Sequence, residues 1–187
     1  MTVLPIRVDD IKDAILDAGI QDQITFNEVE INSGIVRGFL HRYSIHSVPY
    51  ADPTLCSDIY YAKDLENDWA RLVCVKELVH IFDSTRIIVK TRDDVVRLVE
   101  QLSMPLDIDS ANESDIKSIS DRTGMIIALA LLLPKGVRDL LRPKYEASEI
   151  TEEEISLAAC LPLRFVKVLM LPNIDNIVNS IIGIAEN

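Results

Sequence analysis

Arg71-Leu-Val-Cys-Val-Lys-Glu-Leu-Val-His-Ile-Phe-Asp83 is the stretch on which the fold turns. At about 100° per residue on a helix, Leu72, Cys74, Val75, Leu78, Val79, Ile81 and Phe82 cover most of the circumference. A helix this apolar belongs in a core. One arc remains, and it carries Lys76, Glu77, His80 and Asp83, with Trp69 and Val73 on the same arc one to two turns earlier. Lys76 and His80 stand four residues apart, so their side chains meet on one face. Glu77 stands beside them.

The rest of the chain bounds what such a helix can serve. With 187 residues there is one domain, or one domain with a small appendage. Apolar residues make up 48% and charged residues 26%, as in ordinary globular proteins. Aromatics are only 5%, so the core rests on Ile, Leu and Val. A net charge of −11, with no Lys/Arg cluster, argues against nucleic acid or an anionic membrane as partner. Cys56, Cys74 and Cys160 are odd in number and irregular in spacing, without a C-x-x-C. They read as reduced thiols, and the expected location is the cytoplasm. Residues 1–7 carry no apolar h-region of a secretory signal. The longest apolar run, Met125–Leu133, has nine residues, short of the about 20 that span a bilayer.

Working outward, Val8–Ala18 reads as a short amphipathic helix stopped at Gly19. Ile24–Ile31 reads as a strand, Asn32-Ser33-Gly34 as a turn, and Ile35–Leu40 with Tyr43–Val48 as further strand, which together predict an N-terminal hairpin. Pro49–Pro53 is a loop and Asp58–Ala62 a short strand. The central helix runs over Leu65–Asp83, with Asp64 or Asn67 as its cap. Arg86–Lys90 is β-like, and Thr91–Leu102 a helix behind a capping-box-like start. After a linker over Ser103–Glu113, a second apolar helix spans Glu113–Leu133. Gly124 and Ala128 on it are small enough to admit a close neighbour. Pro134 opens a helix over Lys135–Leu141, and Lys144–Ile150 is a second linker. Thr151-Glu-Glu-Glu154 is a capping box for a helix to Cys160. Pro162–Met170 is a further helix, and Asn173 caps the last, Ile174–Ala185. The class is α+β: a small N-terminal β-sheet followed mostly by helices. Residues 1–143 form the main body, with the helices of 144–187 packed on it.

A zinc hydrolase needs three protein ligands and an open position for water. The helical pattern His-Glu-x-x-His supplies two imidazoles one turn apart and a glutamate as general base. Lys76-Glu77-Leu78-Val79-His80 is this pattern with lysine in place of the first histidine. Asp121, on the second apolar helix, is a carboxylate available as a third ligand.

These blocks resemble the ImmA/IrrE family of metallopeptidases. The resemblance lies in the strand Asp58–Ala62, the helix around Lys76–His80, the segment Asp121-Arg-Thr-Gly124 through Ala128 to Leu133-Pro134, and Glu154-Ile155…Ala158…Leu163…Val166…Leu169. It covers about two-thirds of the chain, Ile59 to Met170. It implies a zincin-like domain that handles regulatory proteins, with Glu77 as general base and His80 and Asp121 as metal ligands. The departures fall at the ligand positions: Lys76 for histidine, Asp121 for glutamate, Met125 for asparagine. An ammonium is a poor ligand, and the expectation is that Lys76 supplies the charge a metal would, pairing with Asp121 or Glu77. The resulting reading is a degenerate metallopeptidase fold without zinc-dependent proteolysis, holding no cofactor and binding an unknown protein partner. The alternatives are an active zinc endopeptidase, with zinc held by His80 and Asp121, and a plain α+β interaction domain.

Plainer readings stand beside these. Lys76, Glu77, His80 and Asp83 would also suit a solvated helix face, and Asp121 a first-turn acid favoured by the helix dipole. His41 and His46 read as surface histidines before they read as metal ligands. Cys74 falls on the far side of the helix from Lys76 and His80, a buried thiol. From Tyr145 onward seven acids face two bases, Arg164 and Lys167, which argues against a DNA-binding helix pair.

Overall fold

The computed structural model describes residues 4–46, 52–83 and 113–183. The expected strand Arg86–Lys90, the helix Thr91–Leu102 and the linker after it lie outside the described residues, as does most of the Pro49–Pro53 loop. The architecture is mixed α+β. Helix α1 (Val8–Asp17) leads into strands β1 (Gln23–Val29), β2 (Gly38–Ile45) and β3 (Thr54–Ala62). Helix α2 (Asn67–Val79) follows and tightens into a 3₁₀ turn, His80–Phe82. Then come α3 (Glu113–Leu132), α4 (Lys135–Glu146), α5 (Glu152–Ala159), a 3₁₀ turn (Leu163–Phe165), α6 (Val166–Leu169) and α7 (Ile174–Ile181).

The three strands do not form the expected hairpin. Their order is β1-β3-β2, with β3 antiparallel to β2 and parallel to β1. The Asn32–Gly34 turn exists: Gly34 N–H donates to Asn32 Oδ1 at 2.9 Å and Ile35 N–H to Asn32 O at 3.0 Å. It sits in a connection wide enough to admit a third strand between its arms. β3 takes the centre because it is the longest of the three and carries Ser57 and Ile59, both fully buried. A strand so placed pairs its backbone on both edges, where a buried N–H or C=O needs a partner.

α2 packs against the inner face of β2 and β3. Leu72, Val75 and Leu78 are fully buried beside Ile59 and Leu40, in one cluster with Ile11 and Ile15 of α1. The C-terminal helices enter the same cluster through Ile155, Leu161, Val166, Leu169 and Ile174. α3 covers the arc of α2 that carries Lys76 and His80, and Ala128 and Leu132 on it are fully buried. Burying a Leu or Ile side chain contributes about 1.5–3 kcal/mol, so these residues tie sheet and helices together.

Local signals succeed unevenly. The capping box is formed: Glu154 N–H donates to Thr151 Oγ1 at 3.2 Å, and Thr151 N–H to Glu154 Oε2 at 2.9 Å. The cap of α2 is Glu66 rather than Asp64 or Asn67, and its side chain makes no capping bond. Asn173 is the N-cap of α7 by position only. α4 runs past the expected end at Leu141 to Glu146, with Pro143 inside it. Phe82 is 54% exposed rather than buried, because the turn at His80 rotates it off the apolar face.

Candidate functional site

The arc of α2 that the sequence singles out is roofed by α3 and so is not a solvated face. Lys76 and Glu77 keep only 14% and 6% of their side-chain surface exposed. The Lys76 ammonium lies 3.0 Å from Glu77 Oε1 and donates to Asp121 Oδ1 on α3. One cation thereby bridges two carboxylates from two helices. Charges this deep in a protein persist only when paired and hydrogen-bonded.

His80 closes the arc. It is the residue at which α2 gives way to the 3₁₀ turn, with φ −65° and ψ −12°. Nδ1 is 2.8 Å from Asp83 Oδ2, and Ser120 Oγ–H donates to the same oxygen at 2.7 Å. Nε2 faces Asp121 at 3.8 Å, an ion-pair distance rather than a hydrogen bond. Gly124, one turn beyond Ser120, leaves the space that the imidazole fills: a Cβ there would lie 3.0 Å from Cε1 and Nε2.

The electrostatics follow from this packing. Burial pulls the Lys76 ammonium down, but Glu77 and Asp121 outweigh it and its pKa lies above the ordinary value. Burial likewise opposes charge on His80, and Asp121, Glu77 and Asp83 outweigh that, so its pKa is also raised. For Asp121, burial favours the neutral acid, while His80 and Lys76 hold it down at about 2. The cluster thus holds an ammonium on Lys76 against a carboxylate on Asp121 and favours the charged form of His80. Cys74 lies elsewhere on α2 and is buried, and desolvation with the nearby Glu77 pushes its thiol up to about 12. That favours the protonated thiol over the thiolate.

A support for the cluster escaped the sequence reading. Arg42 of β2 grips Asp22 through Nε at 2.6 Å and a terminal nitrogen at 2.7 Å, and donates its other terminal nitrogen to Ile81 O at 3.1 Å. Ser57 Oγ–H donates to Asp22 at 2.6 Å. This ties the turn after His80 to the sheet. The signal was available: Arg42 has the same strand parity as Leu40, which packs on the core, and a charge at such a position calls for a partner. His41 has the opposite parity, on the outer face, and stacks on Tyr43 at 5.0 Å. His46 is exposed beyond the end of β2. Neither of them joins His80.

Compared with protein-family models, with curated proteins and with solved structures, the chain matches none.

Proposed function

We propose that this chain is a zincin-like protein of the ImmA/IrrE kind that has given up zinc-dependent proteolysis and acts by binding a protein partner. The observation that carries the reading is the Lys76 ammonium between Glu77 and Asp121. Zinc requires lone pairs from three protein ligands. An ammonium offers only donors, and here its pKa is raised rather than lowered toward the neutral amine. Asp121 Oδ1 is already taken by that ammonium, and His80 supplies a single imidazole. This donor set does not fit a zinc ion. It fits a site in which a side-chain cation has replaced the metal's charge.

The same pairing engages Glu77 Oε1 at 3.0 Å, an atom that a general base would need free to take a proton from water. What the scaffold offers instead is surface. Phe39 and Ile45 of β2 and Ile35 just before it are 43%, 45% and 62% exposed, apolar side chains that a protein partner could cover.

Elemental analysis of the purified chain and of Lys76→His tests the reading. The expected result is no stoichiometric zinc in the unmodified chain and a gain in the variant, where two imidazoles stand one turn apart beside Asp121. Stoichiometric zinc in the unmodified chain overturns the proposal and restores an active peptidase with Glu77 as base.

A further inference from the structure

Away from the Lys76 cluster, two arginines converge on the one tryptophan of the chain. Arg37 Cζ lies 4.3 Å and Arg164 Cζ 4.2 Å from the centre of the Trp69 ring. Phe165 meets the same indole edge-on, 5.7 Å between centroids. The contributors are the residue before β2, the first turn of α2 and the 3₁₀ turn after Pro162, brought together from three parts of the chain. Gly38 explains the approach. A Cβ on it would lie 2.7 Å from Tyr60 O and run into Val73, which is one helical turn from Trp69. Glycine lets β2 begin flush against α2, and Arg37 lands on the indole.

Neither arginine has a carboxylate within ion-pair reach among the described residues, although the chain holds 30 acids to 19 bases. Arg42, Arg138 and Arg142 all have one. A guanidinium seated over an aromatic ring keeps N–H donors for a carboxylate. The indole N–H of Trp69 also donates to nothing among the described residues. Burial and the neighbouring Arg37 disfavour the charge on Arg164, and an anion beside them would relieve that repulsion.

We infer that Arg37, Trp69 and Arg164 form a carboxylate clamp that docks an acidic peptide segment of a partner protein. Charge decides the occupant. A polyanion such as nucleic acid is repelled by a surface of net charge −11, whereas one or two carboxylates match two guanidiniums locally. Ile35 and Leu163, 62% and 43% exposed, flank the arginines in sequence and offer contacts to apolar residues next to the acids. The inference rests on the partner-binding reading only in taking the occupant to be a protein. It makes no use of the Lys76 cluster, so zinc analysis and the following titration fail independently.

Trp69 is its own reporter. The full chain is titrated with a capped octapeptide carrying two glutamates among leucine and serine, following tryptophan emission near physiological salt. The expected result is a saturable change with this peptide and none with its glutamine-for-glutamate version. Arg37→Gln and Arg164→Gln each weaken binding about tenfold, the size of a lost charge-assisted hydrogen bond. Arg164→Lys, which keeps the charge and loses the planar fork, weakens it several-fold. Lys144→Gln, an exposed cation on α4, leaves it unchanged. Thermal melts matching the unmodified chain certify that each variant folds. The proposal is overturned by no saturable response to the acidic peptide, by an equal response to the glutamine peptide, or by unchanged binding in folded Arg37→Gln and Arg164→Gln. A response to inorganic phosphate alone overturns the carboxylate assignment.

Discussion

Gly124 of α3 and His80 of the 3₁₀ turn after α2 are in such close contact that a Cβ on the glycine would lie 3.0 Å from the imidazole Nε2. The ring has little room to retreat, because its Nδ1 is held 2.8 Å from Asp83. Gly124→Ala gains about 1 kcal/mol of helix propensity and meets an overpacking penalty of about 1–3 kcal/mol. The expected net effect is a loss of about 1 kcal/mol in urea denaturation. In a His80→Ala background the same substitution is expected to stabilise, since only the propensity gain remains. A stabilising Gly124→Ala in the unmodified chain would refute this contact.

Lys76 neutralises two largely buried carboxylates, so Lys76→Met leaves both without their cation. Breaking a buried pair from one side costs about 3–5 kcal/mol. The deficit is expected to shrink in mild acid, where Asp121, no longer held down by the ammonium, becomes able to take up a proton. Denaturation at pH 7 and at pH 4.5 checks this, and an equal deficit at both contradicts it.

Arg138 is 2% exposed and pairs with Asp175 of α7, which Lys135 also approaches at 3.4 Å. Burial raises the Asp175 pKa, but Arg138 and Lys135 outweigh it and hold the carboxyl below its ordinary value. The folded pKa therefore lies below the unfolded one. The pair contributes its full stability above about pH 4 and loses it as pH falls through the folded value. Asp175→Asn is expected to cost about 3 kcal/mol at pH 7. Its unfolding curve should converge on that of the unmodified chain as pH falls through the folded value. A gap that persists in acid would mean that shape rather than charge holds α7 down.

Arg42 makes two bonds to Asp22 and one to Ile81 O, a planar pattern that lysine cannot reproduce. Arg42→Lys is expected to destabilise by about 2 kcal/mol and to loosen the turn that carries His80. Amide exchange reads this directly. The Asp83 N–H, bonded to His80 O at 3.2 Å, should exchange faster in the variant. The Glu154 N–H of the capping box should not change.

Legibility in the sequence followed the range of the interaction. Lys76, Glu77 and His80 were grouped by helical spacing, and Thr151 with Glu154 by the capping box; both are relationships within one helical turn. The Lys76–Asp121 pairing was expected only through a resemblance to peptidase blocks, because no spacing rule links residues on separate helices. Asp22, Arg42, Ser57 and Ser120 were not singled out at all. Each is unremarkable in its own segment and acquires a role only from what lies opposite. The hairpin expectation failed for the same reason. A turn signal says where a chain reverses, not whether a third strand enters between its arms.

By itself, then, the sequence determined the α+β class, an apolar helix with one polar arc, and the local caps and turns that depend on neighbours within a few residues. The tertiary structure alone decided that α3 roofs that arc and turns a possible solvated face into a buried ion network. It also decided that β3 lies between β1 and β2, and that Arg37, Trp69 and Arg164 meet. Backbone hydrogen bonds within a helix are set by residues three and four apart. Strand order and burial of charge are set by which surfaces the whole chain can bring together, and that information is not carried by any one segment.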